Sequence, residues 1–212
     1  DGICDEQEPY YCSDPLACNY QGIDNIDEEF DVQTLGTADT LGSNCFILTS
    51  ASSDQGGAVW SNSQLDLSRS FAIQGEVYMG SSNAGGDGIV FVLQSQGPYV
   101  IGNAGSGLGY EGISNSIGIE IDTWRNGHLG DLVEDHVAIV RDGLHNHNVP
   151  YFNIAGPVSA LVDGGNIEDD QQHTFLLTWD ADVEELDFYV GGNHRLGVSM
   201  DLVSDIFGGA SS

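Results

Sequence analysis

The sequence predicts an all-β domain, a sandwich or jelly roll of two antiparallel sheets, on three observations. Short apolar or alternating runs recur at strand length; 29 glycines, with Asn, Asp and Ser, punctuate them; and no segment shows the apolar stripe of an amphipathic helix. In chain order, Phe71, Ile73, Val77 and Met79 occupy alternate positions, as a half-buried strand requires. Ile89 to Leu93 is a continuous apolar run of the buried type. Ile117, Ile119 and Ile121 alternate, and a further strand begins at Asp135-His136 and runs through Val140. Phe175, Leu177 and Trp179 alternate, as do Leu186, Phe188 and Val190. Strands at this spacing indicate an antiparallel sandwich rather than a parallel α/β sheet. Trp60 and Trp179 read as core.

The 212 residues suit one such domain plus a short appendage, and 40% hydrophobic residues can build its core. Against 33 Asp+Glu stand 4 Lys+Arg, all four arginine, for a formal charge of -29. That charge repels phosphate backbones and acidic headgroups, which excludes nucleic-acid binding and docking on a membrane surface. No run of 18 apolar residues exists to insert in a membrane. Cations are the natural partners.

Residues 1–29 hold nine acidic and no basic side chains and are expected to form a Cys-rich acidic linker or partial calcium repeat, with the sandwich occupying 30–212. Asp1-Gly2-Ile3-Cys4-Asp5 resembles the end of a thrombospondin type 3 calcium repeat, and the segment from Cys12 to Tyr20 resembles a Cys-rich Bacteroidetes-type spacer. Cys4, Cys12, Cys18 and Cys45 are even in number and lack a paired CxxC pattern, so two disulfides of an exported protein are more economical than a zinc site. Three connectivities are open, and proximity favours Cys12 with Cys18, leaving Cys4 and Cys45. The chain begins without a signal-peptide pattern, as a mature chain or excised piece would. The expected location is secreted or cell surface.

The chemistry is concentrated in the strand from Ser116 to Asp122, the loop through Trp124, Asn126 and Asp131, and the strand starting at His136. With the three isoleucines facing one way, Glu120 and Asp122 project from the other face, ~7 Å apart along the chain. Two carboxylates on one face repel, and need a cation, a shared proton or wide solvent exposure. Asn126 and Asp131 add oxygens from a loop that can curl back, and His136 adds an imidazole. Oxygen donors suit Ca2+, and an imidazole among carboxylates suits a transition ion such as Mn2+, so the stretch can hold two ions side by side.

The spacing Glu120-x-Asp122-x-Trp124-x-Asn126-(x4)-Asp131-(x4)-His136 resembles the double-metal signature of the legume-type (L-type) lectins. The likeness extends over roughly residues 30 to 208, through Asn44 to Thr49, Gly57 to Ser61, Gly86 to Leu93, Gly107 to Tyr110 and Asn166 to Asp169, and is closer to the secreted bacterial branch than to the plant members. The resemblance implies a concanavalin A-like jelly roll that binds glycans as part of an adhesin with other domains. It implies Ca2+ held by Asp122, the Trp124 carbonyl, Asn126 and Asp131, and a second ion, Mn2+ or Ca2+, held by Glu120, Asp122, Asp131 and His136. It further implies that Asp87, after a cis peptide from Gly86, accepts from a sugar hydroxyl. The Asn126 amide would donate to another hydroxyl, Trp124 or an adjacent aromatic would stack on the ring, and Gly105 or Gly107 would offer a backbone N–H.

Three departures qualify the likeness. Leu132 stands where plant members usually have proline. Asp135 puts an extra carboxylate beside His136, which could tilt the second site from Mn2+ towards Ca2+. The chain ends after Gly208 where the family continues, so the final strand is expected to be missing or supplied by another segment or chain. Two other functions compete. A β-glucan hydrolase of the same fold would place a third carboxylate after Glu120-x-Asp122, but Trp124 and Arg125 occupy those positions. A structural or protein-binding sandwich whose metals brace loops would need no sugar site. His145 and His147 form a His-x-His pair that could bind a metal, but with no carboxylates at ligand spacing a solvated loop is expected; His128 is expected at a loop tip, and His173 and His194 as hydrogen-bonded surface residues.

Overall fold

The computed structural model describes residues 31–42 and 44–208. The chain forms twelve strands among these residues: β1 Val32–Gly36, β2 Asp39–Thr40, β3 Phe46–Ile47, β4 Gly57–Ser61, β5 Phe71–Tyr78, β6 Gly88–Gln94, β7 Ser116–Asp122, β8 His136–Arg141, β9 Asn153–Ser159, β10 Gln172–Asp180, β11 Glu185–Val190 and β12 Asn193–Ser199. One four-stranded sheet has the order β6-β7-β8-β9 and the other β12-β11-β10-β5, with two-stranded pairs β1-β4 and β2-β3 alongside. All pairings are antiparallel. The only helix longer than a single 3-10 turn among the described residues is α1, Leu202–Asp205, which agrees with the missing helical stripe.

The period-2 pattern of each strand chooses its faces. Ile117, Ile119 and Ile121 of β7, with Val137 and Ile139 of β8, meet Leu177 and Trp179 of β10 and Leu186, Phe188 and Val190 of β11 in one core between the sheets. Phe91 of β6 packs on Phe175 with ring centroids 4.3 Å apart. Trp179 is buried and its Nε1 donates to the Leu67 carbonyl at 2.9 Å, so its one polar atom is satisfied. The apolar run of β6 is covered on both faces because its alternate residues, Val90 and Val92, join a second cluster.

That cluster, built on Tyr110, Ile113, Ala138 and Val140 with Trp60 and Val100 packed against it, roofs the outer face of the β6-β9 sheet. Trp60 contributes through its ring, and its Nε1 donates to the Val100 carbonyl at 2.7 Å. Every residue of β7 is therefore buried. Glycine at 118 permits the roof, since a Cβ there would lie 2.8 Å from Val90 Cγ1 and 3.0 Å from the Tyr110 ring. The expectations placed on Cys4, Cys12 and Cys18, and the appendage 1–29 that carries them, lie outside the described residues, as does residue 209 onward.

Candidate functional site

The outer face of β7 carries Glu120 and Asp122 under that roof, next to His136, which pairs with Asp122 across the β7-β8 ladder. Glu120 is 0% and Asp122 3% exposed, so of the three ways to relieve two adjacent carboxylates, solvent is excluded and a cation or a proton remains. Burial pushes the Asp122 carboxyl up to about 8, against the N–H of Trp124, which donates to Oδ1 at 2.8 Å and lowers it, while Glu120, Asp131 and Asp87 add repulsion. Burial raises Glu120 as well. Burial also pulls the His136 imidazole down to about 4, so that it is neutral and can donate a lone pair.

The loop after β7 curls back as the spacing requires. The Asn126 N–H donates to Asp131 Oδ2, which folds Asn126 and Asp131 over the end of the strand. Asn126 Oδ1, Asp131 Oδ1 and both Glu120 oxygens are buried without a hydrogen-bond partner. Leaving such an oxygen dry and unpaired costs ~1–3 kcal/mol each, more when charged. One oxygen or nitrogen from each of Asp122, Asp131 and His136 fit within 4.8 Å of one another, and so do those of Glu120, His136 and His147. Orphaned oxygens converging with imidazole nitrogens fit a divalent ion.

Two histidines correct the sequence reading. His145 is buried, and its charge acts on both Asp87 and Glu120. The His147 side chain is 2% exposed and its Nε2 lies 3.0 Å from Glu120 Oε1 and 3.6 Å from Asp131 Oδ1. Neither is in a solvated loop. The segment is lashed to the β7-β8 loop, with the His147 N–H on the Leu129 carbonyl at 2.8 Å and Asn148 Nδ2 on the His128 carbonyl at 3.2 Å. The carboxylates facing His147 are remote in sequence, and the polar residues on either side of it carry no apolar period, so nothing in the local pattern announced its burial.

Asp135 is a further correction. Its Oδ2 accepts from the Ile167 N–H at 2.8 Å, and the carboxylate it acts on is Glu168. It is thus engaged away from the imidazole of its neighbour His136. His128 is exposed, and His173 and His194 pair with Asp169 and Asp187 at 2.9 and 2.7 Å.

Above the buried cluster, the peptide Gly86-Asp87 is cis, and the Asp87 carbonyl accepts from the Thr123 N–H at 3.0 Å. This ties the Asp87 loop to the end of β7. Burial raises the Asp87 carboxyl, and His145 opposes the shift. Gly88 has φ +144, and a Cβ on it would meet the Ile121 carbonyl oxygen at 2.2 Å, so only glycine lets Asp87 sit this close to β7. Trp124 is 45% exposed, and its Cβ would lie 3.0 Å from a Cβ added to Gly86. Gly105 is exposed at φ +65, and a Cβ there would stand 3.7 Å from Asp87 Oδ2. Gly107 is buried and its N–H donates to the Ala104 carbonyl at 3.3 Å. Of the two glycines expected beside the ligand, Gly105 is the one at Asp87.

A sandwich of this topology, with a buried polar cluster at the end of β7, defines the class: the concanavalin A-like fold of the lectins. Within it, the chain belongs to the legume lectin beta-barrel domain family, whose description matches residues 22–212. Among solved structures, a lectin from Bauhinia forficata in complex with GalNAc superposes with a TM-score of 0.63 at 19% identity, covering 89% of this chain and 86% of that one. The pesticidal crystal protein Cry22Aa of Bacillus thuringiensis is 35% identical over 105 residues, 49% of this chain. The serine-rich adhesin for platelets of Staphylococcus aureus (strain MRSA252) is 34% identical over 86 residues, 37% of this chain. The matched segments span 14% and 6% of those two proteins.

Proposed function

We propose that this chain is a calcium-dependent, non-catalytic carbohydrate-binding module of a secreted or cell-surface adhesin. The observation that carries the reading is the arrangement of Asp87, Gly105 and the exposed Trp124 beside the half-buried Asn126 and the buried Asp131, Asp122 and Glu120. Polar groups with fixed geometry beside an open aromatic face suit one sugar ring. Ca2+ would be held by Asp122, the Trp124 carbonyl, Asn126 and Asp131, and a second divalent ion by Glu120, Asp122, Asp131 and His136. When bound, such ions supply positive charge that keeps buried carboxylates ionised. The chain's own groups do the recognition. Asp87 accepts from one hydroxyl, the Asn126 amide and the Gly105 N–H donate to others, and Trp124 covers the apolar face.

A few hydroxyls in competition with water support a monovalent Kd near ~1 mM, so adhesion would use many copies on one surface. Residues 1–29 would then serve as a disulfide-tied linker to neighbouring domains. The similarity to a segment of the staphylococcal adhesin supports this setting. The burial of Glu120, the one candidate nucleophile, and the presence of Trp124 and Arg125 where a proton donor would stand support a non-catalytic role.

A glycan array in Ca2+ and in chelator tests the proposal. Binding in Ca2+ that vanishes in chelator and in Asp87→Ala, with the circular dichroism spectrum unchanged, is the expected result. A folded, ion-loaded protein that binds no glycan would instead favour a metal-braced structural or protein-binding sandwich.

A further inference from the structure

His147 has no part in the ligand set read from the sequence, yet its ring sits inside the buried cluster. Its Nε2 lies 3.3 Å from His136 Nε2, 3.0 Å from Glu120 Oε1 and 3.6 Å from Asp131 Oδ1, while His136 Nε2 is 3.9 Å from the same Glu120 oxygen. Donors held ~2.1 Å from a common ion stand ~3.0 Å apart when adjacent and ~4.2 Å when opposite. All four separations fall in or at the edge of that interval.

The ring's far side fixes which nitrogen carries the proton. Asn153 Nδ2 donates to the Gly156 carbonyl at 2.8 Å. A carbonyl can only accept, so the amide is oriented with Oδ1 towards His147 Nδ1, 3.1 Å away. Nδ1 therefore carries the hydrogen, and Nε2 is the ring nitrogen turned towards Glu120 and His136. His136 is likewise hydrogen-bonded to the Glu134 main chain. Two imidazole nitrogens 3.3 Å apart beside a buried carboxylate are placed to share one cation. Holding the remote ring nitrogen on a carbonyl is how proteins orient an imidazole for a metal.

We propose that His147 ligates the second ion through Nε2, together with His136 and Glu120, so that this site takes a nitrogen-accepting transition ion and discriminates against Ca2+. The inference rests on the metal-dependent reading above and deepens it, because two imidazoles on one ion suit Mn2+, Co2+ or Zn2+ and not a cation that takes oxygen donors. Asp135, whose Oδ2 accepts from the Ile167 N–H, is not among the groups that converge with His136.

The experiment loads the full chain with Co2+ in the presence of Ca2+ and measures metal content, Co2+ affinity and the paramagnetic proton spectrum, for the wild type, His147→Ala and Asn153→Ala. Expected in the wild type is one Co2+ per chain with two exchangeable, hyperfine-shifted ring N–H signals. His147→Ala should lose one signal and at least ~100-fold in Co2+ affinity, Asn153→Ala should lose ~10-fold or more with both signals retained, and Ca2+ affinity at the first site should be unchanged in both. Equal Co2+ affinity in wild type and His147→Ala, or two shifted signals in His147→Ala, would overturn the role of His147 and leave the metal reading standing. Absence of any divalent ion in a folded wild type overturns both. A His147→Ala chain that fails to fold leaves Asn153→Ala to decide, and wild-type affinity there overturns the proposal.

Discussion

Glu168 is the clearest single residue whose environment costs the fold something. It is 4% exposed, its Oε2 has no partner, and burial, with Asp135 beside it, pushes the carboxyl up to about 7. Between its ordinary value and pH 7, the native chain keeps a proton that the unfolded chain releases, so stability falls as pH rises through that window and stays low above it. Glu168→Gln is neutral throughout. In saturating Ca2+, its melting temperature should exceed the wild type's by about 5 °C at pH 8, with the two converging by pH 4.5. An unchanged or lowered melting temperature at pH 8 would mean that a cation already neutralises the Asp135-Glu168 pair. At this scale the sequence was informative where donors lie close along the chain. Glu120, Asp122, Asn126, Asp131 and His136 fall within one strand-loop-strand unit and meet because that unit folds locally. His147 and Glu168 reach their partners only through the packing of separate segments, and no local spacing encodes that.

At the scale of the element, β7 has two dry faces, one apolar and one acidic. Without an ion the acidic face must hold protons, and burial raises both its carboxyls, Asp122 to about 8 and Glu120 likewise upward. The chelated protein should therefore lose stability as pH rises from 4 to 8, because the unfolded chain gives up its protons first. The ion-loaded protein should gain over the same range, since protons no longer compete for the donors. Thermal melts at several pH values in Ca2+ plus Mn2+ and in chelator should diverge with pH, the gap exceeding ~10 °C at pH 8. Parallel curves would contradict the account. The strands legible in the sequence are those with a clean period, β5, β6, β7, β8, β10 and β11. Others carry too little pattern to read. β9 is interrupted by Gly156-Pro157 and lies at a sheet edge, where proline is tolerated, and β12 reads Asn-His-Arg-Leu-Gly-Val-Ser, with its apolar contacts made by alternate residues only. β2 and β3, of two residues each, are too short for any period.

Over the whole molecule, charge dominates. Four arginines face 33 acids, and two of them are engaged locally: Arg141 with Asp142 at 3.1 Å and over the Tyr151 ring, Arg195 on the Ser159 carbonyl. The remaining acids repel one another across the surface. Screening shortens from ~10 Å at 0.1 M to ~3 Å at 1 M salt, so the melting temperature at saturating Ca2+ should rise as NaCl is raised to 1 M. A steady fall would mean that repulsion among the acids does not limit the stability of the fold. Negative charge of this density also concentrates divalent cations around the chain.

The roof of Tyr110, Ile113 and Trp60 over β7 has a kinetic corollary. Donors as deeply buried as Glu120 and His136 would exchange a bound ion only when the surrounding loops part, so release would be timed by that rare opening and not by how dilute the surroundings have become. On the proposed metal-dependent reading, a chain loaded once at Glu120 and His136 would keep that ion through passing shortages, behaving over minutes as though it were part of its covalent make-up.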